Sequence, residues 1–118
     1  MRDHKKLRAF ELADQLALLI YKVTASFPRE EQFGLTSQMR RAAVSVPSNI
    51  AEGCARGSSA DYLRFLDIAF GSLRELEYQA TLANRLGYIS DYEPLEALTT
   101  ETSKVLAALI RSLRTPKT

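Results

Sequence analysis

Apolar residues recur three and four positions apart along four segments of the chain, which is the spacing of an amphipathic helix. The first segment predicts a helix from Glu11 to Phe27, ended by Pro28. The second predicts a helix that is N-capped by Thr36 and stops near Gly57. Its inward stripe consists of Met39, Ala42, Ala43, Val46, Ile50 and Cys54.

The third segment has the most regular period in the chain. Ser58 followed by Asp61 predicts its N-terminal cap, and Gly87 predicts its stop, which gives a helix of about 28 residues. Its stripe consists of Tyr62, Leu66, Ala69, Leu73, Leu76, Ala80 and Ala83. Ser90 with Glu93 forms a capping-box pattern that predicts the start of a fourth helix, which continues almost to the end of the chain.

The pattern therefore predicts an all-α fold. No long segment alternates apolar and polar residues with period two, and the connections between the helices are short. Short connections make successive helices antiparallel, so the simplest architecture is an up-down-up-down four-helix bundle. A chain of 118 residues fits one domain, which we expect to span residues 1–118.

The second helix carries a row of polar residues that a helical projection places opposite its apolar stripe. The row consists of Gln38, Arg41, Ser45, Ser48, Asn49, Glu52 and Arg56. It contains no Lys and has short hydrogen-bonding residues at its centre, which suits close approach by another surface. Assembly or ligand contact is one interpretation, and an ordinary solvated helix face is the other.

Pro47 lies inside the same helix, where it removes a backbone hydrogen bond. The apolar stripe keeps its phase from Met39 to Ile50, so we expect a kink within one continuous helix. The kink serves packing in one interpretation and presents Ser48 and Asn49 to a partner in the other.

Two helices also carry apolar residues on their outer sides, away from the predicted core. Such aligned residues favour self-association over chance exposure. They predict an oligomer interface that contains Ile68, Tyr78 and Leu82 of the third helix and Leu18 and Tyr21 of the first.

Charge is distributed unevenly although the net charge is only +2. Residues 1–8 and residues 111–118 each carry +3, which leaves the body of the protein acidic. In the predicted bundle both termini lie at one pole, together with Arg56 and Arg64. This pole also contains Arg2 and Lys117, and its candidate nucleic-acid rim consists of Lys5, Lys6, Arg8, Arg111 and Arg114.

The residues that common catalytic and metal sites require are missing. The one histidine, His4, lies near the N-terminus, so neither a di-iron bundle nor an Arg-x-x-x-x-His ribonuclease site can be assembled. Cys54 is the one cysteine, and no phosphate-binding glycine loop is present. We therefore expect no enzyme activity, no metal and no cofactor. A signal peptide and a membrane span are also missing, which favours the cytoplasm.

Two stretches resemble a known family. FGLTSQMRRAAVSVPSNIAEGCARGS and DYLRFLDIAFGSLRELEYQATLANRLGYI are similar to the bacterial four-helix-bundle proteins found as reading frames in intervening sequences of 23S rRNA genes. The resemblance covers nearly the whole chain, and AVSVPSNIAEG is its most specific part. It implies a homopentameric ring with a central opening, no assigned enzymatic activity and a link to RNA. A distantly similar accessory protein of diversity-generating retroelements binds nucleic acid, which implies such contact by analogy.

The leading hypothesis is a non-enzymatic, ring-forming protein that contacts RNA or DNA through its basic rim. The alternative is a structural oligomeric scaffold that recruits a protein partner and binds no nucleic acid. Both hypotheses have the protein itself as a partner, and neither involves a membrane.

Overall fold

The computed structural model describes residues 2–114, which form four α-helices and no β-strand. The helices are α1 (Arg8–Thr24), α2 (Leu35–Cys54), α3 (Ser59–Arg85) and α4 (Glu93–Arg114). Two short 3-10 helices, His4–Lys6 and Arg29–Glu31, precede α1 and α2. The predicted all-α class is confirmed.

Each helix packs against two neighbours. α2 contacts α1 and α3, and α4 contacts α1 and α3. Among the described residues no Cα atom of α1 comes within 8 Å of one of α3, so these two helices occupy diagonally opposite corners of the bundle. Their outer sides therefore face different directions.

The core forms from the stripes that the sequence period predicts. Every residue of the predicted α2 and α3 stripes is at most 2% exposed. α1 adds Leu12, Leu16 and Ile20, and α4 adds Leu95 and Leu106. Burial of these side chains is the main stabilising term of the bundle.

The predicted end of α1 is wrong by about one turn. α1 runs from Arg8 to Thr24 and not from Glu11 to Phe27. Pro28 disfavours helical geometry at Phe27, and the Thr24 hydroxyl donates a hydrogen bond to the Ile20 carbonyl 2.7 Å away. Phe27 leaves the helix but stays buried, with its ring 5.4 Å from that of Tyr88.

The predicted N-cap of α2 is also wrong. α2 begins at Leu35, and Thr36 is a buried residue of its first turn. The capping acceptor is the Glu31 carboxylate, which accepts a hydrogen bond of 3.0 Å from the Leu35 N–H. A longer side chain from the preceding 3-10 helix thus replaces the expected threonine.

Both predicted ends of α3 are confirmed. The Ser58 hydroxyl accepts a hydrogen bond of 3.1 Å from the Asp61 N–H. Gly87 has φ of 79°, and the Tyr88 N–H bonds the Ala83 carbonyl 3.0 Å away, as in a Schellman motif. The positive φ explains why a glycine stands there.

The predicted capping box of α4 is not formed at Ser90, because α4 begins at Glu93. Pro94 lies in the first turn, where its missing N–H costs no helical hydrogen bond. α2 is one continuous helix on both sides of Pro47, as predicted, and the kink expected there stays a prediction.

Candidate assembly faces and basic pole

Part of the polar row of α2, with Arg41 and Ser45, is turned towards α3, which corrects the helical projection that places the whole row opposite the core. The Arg41 guanidinium donates to the Glu75 carboxylate of α3 at 2.7 Å and to the Gln38 side chain at 3.0 Å. The Ser45 and Ser72 hydroxyls are 2.8 Å apart. The short side chains at the centre of the row thus allow α2 and α3 to approach closely.

The rest of the row forms local contacts. The Asn49 side-chain amide donates to the Ser45 carbonyl at 2.8 Å, and Arg56 pairs with Glu52 one turn earlier. Ser48 is exposed. The contacts with α3 give part of this row a structural role, and its role in assembly or ligand contact stays a prediction.

The predicted oligomer interface consists of two separate apolar faces. On α3, Tyr78 is 61% exposed and Ile68 is 42% exposed, while Leu82 is half-buried. On α1, Leu18 is 67% exposed and Tyr21 is 46% exposed. We call these groups the α3 face and the α1 face. They lie on different sides of the bundle, because α1 and α3 are diagonal to each other.

The most exposed of the large apolar side chains in residues 2–114 was not predicted. Phe33, in the loop before α2, is 91% exposed. It borders a groove of about 640 Å³ that Tyr21, Arg40 and Val44 also line, which extends the α1 face onto α2. The sequence signal was an aromatic residue in a polar loop, outside any helical stripe, with Gly34 directly after it.

The N-terminal segment binds the pole where α2 ends and α3 begins. The Arg2 N–H donates to the Cys54 carbonyl at 3.1 Å, and the Arg2 guanidinium lies 4.0 Å from the centre of the Tyr62 ring. The guanidinium groups of Arg56 and Arg64 lie 4.8 and 4.5 Å from the Phe65 ring. These contacts bring together three of the cations predicted for this pole, Arg2, Arg56 and Arg64.

Arg8 is separated from the end of α4. Its guanidinium pairs with Glu11 at 2.8 Å and with Glu101 at 2.7 Å. Glu101 lies about three turns before the end of α4, which is roughly 15–20 Å along the helix. The predicted rim therefore does not form a single cluster.

Several cations of this pole are paired with carboxylates. Arg114 pairs with Asp67, and Arg64 lies 3.5 Å from Asp61. Lys5 and Lys6 are exposed, and their ammonium groups form no ion pair among residues 2–114. Lys117 lies outside the described residues. The two lysines are therefore exposed charges without an ion-pair partner in this range.

Cys54 and Tyr62 form a buried polar contact under the Arg2 guanidinium. Burial raises the pKa of the Cys54 thiol, and a hydrogen bond from Tyr62 opposes this shift in part. Burial, together with the neighbouring Cys54, raises the pKa of Tyr62 from 10.0 to about 12. An unreactive thiol at this position is consistent with the predicted core role of Cys54.

This shift makes stability depend on pH in the alkaline range. Below pH 10 both the folded and the unfolded chain keep the Tyr62 proton, so Tyr62 makes its full contribution to the free energy of unfolding. Between pH 10 and about 12 the unfolded chain loses the proton first, and the free energy of unfolding falls by about 2 kcal/mol. Urea unfolding at several pH values checks this. The Tyr62→Phe variant should lack this part of the decrease, and equal pH profiles for both proteins would contradict the assignment.

No cluster of three metal-binding side chains occurs among residues 2–114. In the same range, no helix is both long and apolar enough to cross a membrane. The His4 ring packs edge-on against Phe10, with 4.6 Å between ring centres.

These features define a class of protein: an α-helical bundle with a polar α2–α3 contact and two exposed apolar faces. The family model for the 23S rRNA-intervening sequence protein matches residues 5–108. The chain therefore belongs to the family of 23S rRNA-intervening sequence proteins, which confirms the resemblance seen in the sequence.

A solved structure supports the same assignment. It is a protein of unknown function from the S23 ribosomal protein family of Bacteroides thetaiotaomicron. The TM-score is 0.79 at 27% sequence identity, over 87% of this chain and 95% of the other. No curated protein sequence matches the chain.

Proposed function

We propose that this protein is a non-enzymatic scaffold that assembles with copies of itself into a ring. The observation that carries the proposal is the pair of exposed apolar faces on two diagonal helices. Monomeric proteins rarely leave aligned large apolar side chains in water, and such patches commonly mark interaction sites.

The position of the two faces favours a ring. A twofold dimer would use one face twice, whereas two different faces on different sides of the bundle suit a head-to-tail contact. Head-to-tail contacts close into rings when the rotation between neighbours permits it. Five subunits is the number that the family resemblance implies.

Contact with RNA or DNA is the second part of the proposal. Lys5 and Lys6 are exposed and unpaired among the described residues, and Arg2 holds their segment against the bundle. In a ring whose subunits all point the same way, this pair repeats around one rim. Several weak phosphate contacts then add to a useful affinity.

We expect salt-dependent binding with little sequence preference. Fluorescence anisotropy with a labelled structured RNA and a duplex DNA, at about 50 and 200 mM salt, measures it. Replacing both Lys5 and Lys6 by Ala should weaken binding at least about tenfold if the ring repeats these contacts. The control is Lys104→Ala, which removes an exposed lysine from the middle of α4.

The alternative is a scaffold that recruits a protein and binds no nucleic acid. The carboxylate partners of Arg8, Arg56 and Arg114 favour it, because paired cations attract phosphate less strongly. Absent or salt-insensitive binding to both probes, in protein that still assembles, would contradict the nucleic-acid proposal and leave this alternative.

A further inference from the structure

Phe33 is held in its exposed position by a braced loop. The Glu31 carboxylate accepts one hydrogen bond from the Leu35 N–H at 3.0 Å and another from the Tyr88 hydroxyl at 3.0 Å. The Gly34 N–H donates to the Glu31 carbonyl at 3.0 Å. The hydrogen bond from Tyr88 to Glu31 raises the pKa of Tyr88. The two bonds to the Glu31 carboxylate tie the loop to both α2 and the connection after α3. A preorganised aromatic side chain in water is typical of an interface anchor.

The contacts between α2 and α3 fix the height of Phe33 along the bundle. Ser45 pairs with Ser72, and Arg41 pairs with Glu75. Residues nearer the N-terminus of α2 therefore lie level with residues nearer the C-terminus of α3. Continuing this register places the residues before Leu35 level with the last turns of α3. The hydrogen bond from Tyr88 to Glu31 shows the same alignment directly.

Leu86, directly after the last residue of α3, extends the α3 face beyond Leu82. Leu82 is half-buried and Leu86 is 50% exposed, and Arg85 lies one turn after Leu82. In a head-to-tail ring whose symmetry axis runs parallel to the bundles, residues at the same position along the bundle axis meet between neighbouring copies. Phe33 of one copy then faces this end of α3 in the next copy.

Charge supports the same pairing. Glu30, on the loop that carries Phe33, is exposed, and so is Arg85. Neither side chain forms a hydrogen bond or an ion pair within the part of the chain that the structure describes. An acidic residue three positions before Phe33 therefore matches a basic residue directly before Leu86.

We propose that Phe33 packs between Leu82 and Leu86 of a second copy of this chain, with Glu30 facing Arg85 across the contact. The inference rests on the proposed self-assembly and names its anchor. The groove beside Phe33 then lies at the edge of the same contact.

Truncation of the anchor is the first test. Phe33→Ala should lower the association constant about 30-fold, the effect expected for one interface anchor, as measured by sedimentation velocity over a concentration series. The matched control is Leu113→Ala, which shortens a 38% exposed leucine at the end of α4. Equal effects of the two substitutions would overturn the proposal.

A charge swap is the second test. Glu30→Arg alone and Arg85→Glu alone should each weaken association about three- to tenfold, because like charges then face each other. The double variant should recover to within about twofold of the unmodified protein. If the effects of the two single substitutions add in the double variant, Glu30 and Arg85 do not face each other in the contact.

Cross-linking decides whether the contact is head-to-tail. Glu30→Cys protein mixed with Arg85→Cys protein and a short bis-maleimide should give a mixed dimer, while neither variant alone should. Cys54 is 1% exposed and can stay in place. Cross-linking of the Glu30→Cys protein alone would indicate a twofold contact and overturn the proposal.

The outcomes separate this inference from the function on which it rests. A monomeric unmodified protein contradicts both. An oligomer that dissociates with Tyr78→Glu but not with Phe33→Ala contradicts the Phe33 contact and leaves the scaffold proposal standing.

Discussion

Replacing Tyr78 by Glu should convert the assembled protein into a folded monomer. Tyr78 is 61% exposed at the centre of the α3 face, so the substitution disturbs no core contact. In an interface, however, it would bury a charge without a partner, which costs several kcal/mol. We expect the association constant to fall by at least about a hundredfold. Size-exclusion chromatography with light scattering measures the mass, and circular dichroism checks the fold.

The control for this substitution is Ala108→Glu. Ala108 is an exposed residue of α4, a helix that carries neither the α1 face nor the α3 face, and its replacement adds the same charge. Leu82→Glu is a less clean variant than Tyr78→Glu, because Leu82 is half-buried within its own chain. Loss of assembly in both Ala108→Glu and Tyr78→Glu would point to net charge and contradict a specific α3 face.

Gly53→Ala should destabilise the bundle although alanine is the better helix former. A Cβ atom at Gly53 would lie 2.9 Å from the Phe65 Cβ and 3.2 Å from the Tyr62 carbonyl oxygen. Neither atom is the end of a flexible side chain, so α2 and α3 must move apart. We expect the free energy of unfolding to fall by about 1–3 kcal/mol in total, although the higher helix propensity of alanine raises it by about 1 kcal/mol. Urea unfolding in the Tyr78→Glu background measures this without a contribution from assembly.

Gly57→Ala is the matched control. No atom lies within 4 Å of a Cβ built at Gly57, and its φ is not in the left-handed region. We expect a change within about 0.5 kcal/mol, or a small gain from reduced freedom of the unfolded chain. Equal stability of the Gly53→Ala and unmodified proteins would show that the α2–α3 contact is not as close as the structure has it.

The fold could be predicted because its main signal is periodic. The α3 stripe from Tyr62 to Ala83 is buried throughout, since a long amphipathic helix has one way to hide such a stripe. The ends of α3 were also predictable, because Ser58 and Gly87 act through local geometry. The start of α2 was not, because its cap is Glu31, whose position depends on the loop and on Tyr88.

The candidate site was only partly accessible from the sequence. A helical projection separates apolar from polar residues, but it does not say which neighbouring helix is contacted by the residues beside the apolar stripe. The contact of Ser45 with Ser72 therefore appeared only with the packing of α3. Phe33 was missed for a related reason, since a loop has no period from which exposure can be derived. The ion pair of Arg8 with Glu101 likewise depends on how α1 and α4 are placed along each other.

The claim that this protein works as an assembly is tested most directly by the mass of the purified, unmodified chain in solution. Native mass spectrometry, checked by light scattering at tens of micromolar, gives that mass. A single chain is 13.2 kDa. Self-assembly predicts an integral multiple of that mass, and a five-membered ring predicts about 66 kDa. A mass of 13.2 kDa throughout the concentration range would contradict the account.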